Sequence, residues 1–253
     1  LKKYKLLLII VLIPYLILIT TLSFPLKNYS VTLPGGIHKI DKGIEIDNTT
    51  SHNDFYSVYV ISYDKPTLFQ LWLSSLTNKS TISKNSYTFN LQEAYHMGLI
   101  DEELSYQYGI IYSYLEASKI NSNILINYRL KGYIIETTLA GNGKLGDIII
   151  KFDGSLISDM SPSEVNAYFT SHEVIELTVL RNNKELSYQI NKTDEAKFMM
   201  TVMPFYEIHD TTPSYQSTYQ DDFIVGPSGG LLQTLNIYSS LLNIDYNGLI
   251  ISG

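Results

Sequence analysis

Gly143-Lys144-Leu145-Gly146-Asp147-Ile148-Ile149-Ile150-Lys151-Phe152-Asp153-Gly154 reads as a turn, a short strand and a second tight turn. The isoleucines and Phe152 make a β-rich run, while Gly146 and the Asp153-Gly154 pair stand where a chain can bend into left-handed backbone. Residues Gly141 to Gly146 also spell the G-x-G-x-x-G dinucleotide pattern. That pattern works by seating a pyrophosphate on the N-terminus of a following helix. A strand follows here, so the match is accidental.

Working outward, Gly132-Tyr133-Ile134-Ile135-Glu136 reads as the preceding strand. On the other side Ser161-Pro162-Ser163-Glu164 opens a helix running through Phe169, with Ser161 as N-cap, Pro162 at the first helical position and Glu164 completing a capping box. Val174–Val179 and Leu186–Ile190 then form strands joined by a hairpin around Asn182-Asn183. This order of strand, Leu-x-Gly-Asp turn, strand, helix, strand and strand resembles a bacterial PDZ domain. The resemblance implies binding of an extended peptide as an added strand at a sheet edge. It also implies that Leu130, Lys131, Gly132 and Tyr133 form the loop that meets the peptide terminus.

Farther along stands Gly226-Pro227-Ser228-Gly229-Gly230, followed by Leu231, Leu235, Tyr238 and Leu242 at helical spacing. A serine in that position sits at a helix N-terminus, beside unpaired backbone N–H groups and the positive end of the helix dipole. Most such serines only cap a helix, but the same arrangement also builds acyl-transfer nucleophiles. The run Ile224–Leu232, continued by Asn236-Ile237-Tyr238 and Gly248–Gly253, resembles the nucleophile segment of Lon-type serine peptidases. It is closest to the membrane-anchored, ATP-independent members that carry a PDZ domain; these have alanine where Gly229 stands.

That resemblance implies Ser228 as nucleophile, backbone support for an oxyanion from Gly226, Gly229 and Gly230, and a lysine base from a later helix. No lysine or arginine follows Lys197. The expectation is therefore a Ser-Lys dyad whose lysine lies beyond this chain, which would be a truncated copy and inactive by itself. The alternative is a noncatalytic, membrane-tethered PDZ adaptor that binds peptides.

Other chemistries find little support. The chain has 253 residues, a net charge of −7 and no cysteine. The charge disfavours nucleic acid as a partner, and the missing cysteines exclude disulfides and thiolate catalysis. No G-x-x-x-x-G-K-[ST] loop occurs, so the chain carries no ATPase module. His38, His52, His96, His172 and His209 are scattered without metal-site spacing, and neither a metal nor a cofactor is expected. His209, nearest in sequence to Ser228, is weighed as a substitute base and set aside as a solvated side chain beside Asp210.

At the amino end Lys2, Lys3 and Lys5 precede an uncharged run from Leu6 to Phe24, the length of a bilayer-spanning helix. A cleaved signal peptide is the competing reading. The lysine bias places the amino terminus in the cytoplasm and the bulk outside, as a single-pass protein of the cell membrane. The expected class is α+β: residues 1–28 cytoplasmic tail and transmembrane helix, 29–120 a membrane-proximal α+β region, 121–191 a PDZ-like β-rich domain, and 192–253 the start of a Lon-type proteolytic domain. Within 29–120, helices are expected over Leu68–Leu76 and Glu93–Lys119, with an exposed loop over Thr77–Asn90. Expected partners are a peptide or protein substrate, the membrane and a second copy of the chain.

Overall fold

The computed structural model describes residues 2–40, 44–47, 49, 53–84, 91–138, 143–192, 200–217, 229–246, 248 and 250–252, with backbone alone for 2–9, 91, 138 and 159. In chain order the first elements are α1 (Lys2–Leu22), β1 (Tyr29–Lys39), β2 (Ile44–Ile46), β3 (Asp54–Asp64), α2 (Leu68–Ser75), β4 (Thr81–Lys84), α3 (Leu91–Ser118) and β5 (Leu125–Thr138). There follow β6 (Ile148–Phe152), β7 (Ser155–Leu156), a 3-10 turn at Ile157–Asp159, α4 (Pro162–Ser171), β8 (Val174–Arg181), β9 (Lys184–Asn191), β10 (Met200–Thr212), β11 (Tyr215–Ser217), α5 (Gly230–Leu242) and β12 (Ile250–Ser252). The class is α+β.

The chain divides into two compact units, one of Leu1–Ile37 with Val58–Leu91, the other of His38–Ser57 with Gln92–Gly253. The first holds α1, α2 and the strands β3, β1 and β4 in that order, with β4 antiparallel to β1 from Tyr29↔Lys84 to Thr32↔Thr81. β4 lies inside the stretch expected to be an exposed loop. Thr67 starts α2 with a capping box, its hydroxyl accepting from Gln70 N–H while the Gln70 side chain accepts from Thr67 N–H.

Among the described residues no helix is long and apolar enough to cross a membrane. This corrects the expected transmembrane helix over residues 1–28, and with it the placement as a single-pass membrane protein with an extracellular bulk.

The second unit is built on a sheet ordered β10-β5-β6-β8-β9, with β7 beside β6. α4 covers one face: Val165 packs with Ile135, Ile149, Phe152, Leu177, Val179 and Ile190 in a closed apolar cluster. The Ser161 capping box forms as the residues dictate, with Glu164 N–H donating to Ser161 Oγ at 3.3 Å and Ser161 N–H to Glu164 Oε2 at 2.7 Å. Both turns around β6 take the left-handed backbone their residues allow, at Gly146 (φ +83°) and at Asp153-Gly154 (φ 43° and 81°). Ser161→Ala removes the acceptor for a first-turn amide and is expected to lower the melting temperature by about 2–4 °C. A calorimetric scan with no shift would strike the box from the contacts that hold α4.

The other half of this unit packs α5 on α3. Ile237 and Leu241 of α5 meet Ile110, Tyr114 and Ala117 of α3, and Ile44 and Ile46 of β2 close the same cluster. A second, smaller cluster joins Leu232 to Ile40 and Phe55. β12 lies parallel to the start of β3, from Ile250↔Asp54 to Ser252↔Tyr56.

Candidate active site

Of the residues expected to form the nucleophile site, Ser228 and Gly226 lie outside the described residues, and Gly229 and Gly230 are placed at the start of α5. Gly229 is the N-cap, with φ −80° and ψ −12°, and supplies no side-chain cap. The first turn carries no acidic residue. Among the described residues, then, neither an N-cap side chain nor a first-turn carboxylate meets the positive end of the helix dipole. This is the electrostatic setting in which a developing oxyanion is stabilised.

Close helix packing fixes the position of these amides. A Cβ on Gly230 would fall 1.8 Å from Ser105 Oγ of α3, and one on Gly109 of α3 would meet Thr234 Oγ1 at 3.0 Å. Thr234 Oγ1 donates to Gly230 O at 2.7 Å, and Ser113 Oγ lies within hydrogen-bond distance of Thr234 O, at 2.8 Å. Ser57 Oγ of β3 is the nearest atom to a Cβ built on Gly229, at 3.9 Å. The far end is held too: Asn243 takes left-handed backbone, and the buried Asn53 donates to Ile244 O while accepting from Tyr246 N–H.

The face of α5 that is buried is not the stripe expected from Leu231, Leu235, Tyr238 and Leu242. Leu231 is 73% exposed, whereas Leu232, Gln233, Asn236, Ile237, Ser239, Ser240 and Leu241 are buried. Half of that inward face is polar, which hides it from any reading of apolar periodicity. Gln233 is the most buried of its amides, and apart from its place five residues after Ser228 nothing in the sequence marks it.

The four residues assigned to a peptide-binding loop sit elsewhere than expected. Leu130, Lys131, Gly132 and Tyr133 are strand residues of β5, paired on one side with β10 (Tyr206↔Leu130, Phe205↔Gly132, Pro204↔Tyr133) and on the other with β6 (Tyr133↔Ile149). Lys131 is skipped in the β10 register and forms a bulge. These four residues form strand in place of the expected loop, with β10 supplying main-chain partners on one side.

His209 lies in β10 with Nε2 at 3.8 Å from Glu207 Oε2. Residues 198–253 contain no lysine or arginine. Among the described residues no group of His, Asp or Glu could hold a metal ion. Comparison with family models, characterised proteins and solved structures returned no match.

Proposed function

We propose that this protein is an ATP-independent serine endopeptidase in which Ser228 attacks the scissile carbonyl and the opening amides of α5 stabilise the oxyanion. One observation supports the reading: α5 begins two residues after Ser228, with a glycine N-cap that supplies no capping side chain and a first turn without an acidic residue. In the attack, Ser228 Oγ bonds to the carbonyl carbon, the carbonyl oxygen takes the negative charge, and a base accepts the hydroxyl proton. The resemblance to Lon-type peptidases names that base as a lysine, and it is not among residues 198–253. The substrate class is an unfolded or extended polypeptide.

The rival reading is a noncatalytic adaptor that binds an extended peptide along a strand edge; the β5 edge at Leu130–Tyr133 assigned to it is paired with β10.

In the protein isolated from its natural host, a fluorophosphonate probe is expected to label Ser228. Ser228→Ala is expected to remove the label and to slow cleavage of unfolded casein by roughly 10³-fold or more, with an unchanged circular dichroism spectrum. Cleavage by the Ser228→Ala protein at the parent rate would sink the proposal.

A further inference from the structure

Gln233, the fourth residue of α5, is 1% exposed, yet among the described residues neither its Nε2 nor its Oε1 has a hydrogen-bond partner. Native proteins rarely leave both ends of a buried carboxamide unmade, because each end has given up its water. In a helix the Cα–Cβ bond leans toward the N-terminus, and a long side chain lies over the residues three and four before it. For Gln233 these are Gly230 and Gly229. Neither carries a side chain, both are only half-buried, and the amides of the first turn, which the N-cap glycine leaves without a capping side chain, lie alongside.

The chemistry of the carboxamide selects the ligand. Along one edge it presents an N–H donor and a carbonyl acceptor in a plane, which is the complement of the N–H and C=O of one residue in an extended chain. A phosphate or carboxylate would satisfy Nε2 but set its negative charge against Oε1; an apolar group would satisfy neither atom.

We propose that Gln233 is a positioning residue that holds the backbone of one residue of an extended polypeptide beside the N-terminus of α5, Nε2 donating to that residue's carbonyl and Oε1 accepting from its N–H. The inference rests on the reading of this helix start as the acyl-transfer site.

The test uses the full-length protein carrying Ser228→Ala, so that no turnover is needed, and dye-labelled β-casein as the unfolded polypeptide. Gln233→Met keeps the side-chain volume and removes both polar atoms. Casein binding, read by fluorescence anisotropy, is expected to weaken about tenfold, while the melting temperature stays the same or rises because an unmet polar group has left the interior. The Gln233 side-chain NH₂ resonances of the parent are expected to shift on casein addition. A purely structural role would lower the melting temperature and leave those resonances in place, which overturns the inference even if binding also falls. Equal casein affinity with Gln233→Met overturns it too, as a site for buried water only, and leaves the Ser228 reading standing. A parent that does not bind casein overturns it as well. Fluorophosphonate labelling at a residue other than Ser228 removes the catalytic reading whatever Gln233 does.

Discussion

Arg181→Met is expected to lower the stability of the second unit by about 3 kcal/mol. The guanidinium forms a fork on the carboxylate of Asp147, Nε to Oδ1 at 2.7 Å and Nη2 to Oδ2 at 2.6 Å. Asp147 keeps 2% of its side-chain surface in water and Arg181 keeps 24%. Lys144 N–H also donates to that carboxylate, at 3.0 Å. Methionine preserves the packing of the arginine stem but leaves a buried negative charge without its cation. Removing one partner of a buried pair costs about 3–5 kcal/mol, and the partial exposure of Arg181 sets the lower end. Tyr188 feels the same surroundings: burial, and then the Asp147 charge, push its hydroxyl up to about 12. Asp147→Asn added to Arg181→Met is expected to recover most of the loss, since the amide oxygen still accepts from Lys144 N–H and no charge remains. Hydrogen exchange at β6 and β8 amides reads the effect within this unit, where the single tryptophan, Trp72 of α2, reports nothing. A loss under 1 kcal/mol for the single variant would show that the pair contributes little beyond its geometry.

The Asp147–Arg181 pair also shows what sequence can and cannot supply. The turn at Lys144-Leu145-Gly146-Asp147 and the hairpin at Asn182-Asn183 are both local. Their glycines and asparagines take positive φ at 83°, 51° and 59°, as their residue types allow. That these two turns exchange an ion pair is a consequence of the β6–β8 register, Ile148↔Leu180 and Ile149↔Val179, and no local spacing encodes it. β10 is the larger case. Residues 193–220 read as linker and irregular strands, with Pro204, His209 and Asp210 interrupting any clean alternation. The structure nonetheless pairs Met200–Thr212 with β5 along its length, through three register shifts that a period-2 pattern cannot follow. Helix capping was legible at α4, since Ser161, Pro162 and Glu164 declare it within four residues. The inward face of α5 was not, since α5 is buried through glutamine, asparagine and serine as well as leucine. The start of α5 follows from Gly229 and Gly230; its buried Gln233 has no local signal in the sequence.

Gly132→Ala is expected to cost about 3 kcal/mol, for a reason unrelated to peptide binding. A Cβ at residue 132 would stand 2.2 Å from Ile149 O and 3.0 Å from Ile148 Cγ2. The first of these is a backbone atom and cannot rotate away. Ordinary contact needs about another 1 Å, which must come from parting β5 and β6 where Tyr133 pairs with Ile149. Overpacking of this kind typically costs 1–3 kcal/mol, and the strained strand pair takes it to the upper end. The glycine is also where β5 meets its bulge at Lys131 against Phe205 and Tyr206. A glycine inside a strand commonly marks a bulge or a close backbone approach, and here it marks both. The two accounts of this residue separate in one experiment. If Gly132 serves a peptide-docking loop, alanine should weaken peptide binding and leave the unfolding free energy near that of the parent. If it serves strand packing, urea unfolding followed by far-ultraviolet circular dichroism should show the full loss, and Lys131→Ala, one residue away at the bulge, should stay within about 0.5 kcal/mol. Equal stability of the Gly132→Ala and parent proteins would mean that β5 and β6 do not approach as closely as Ile149 O requires.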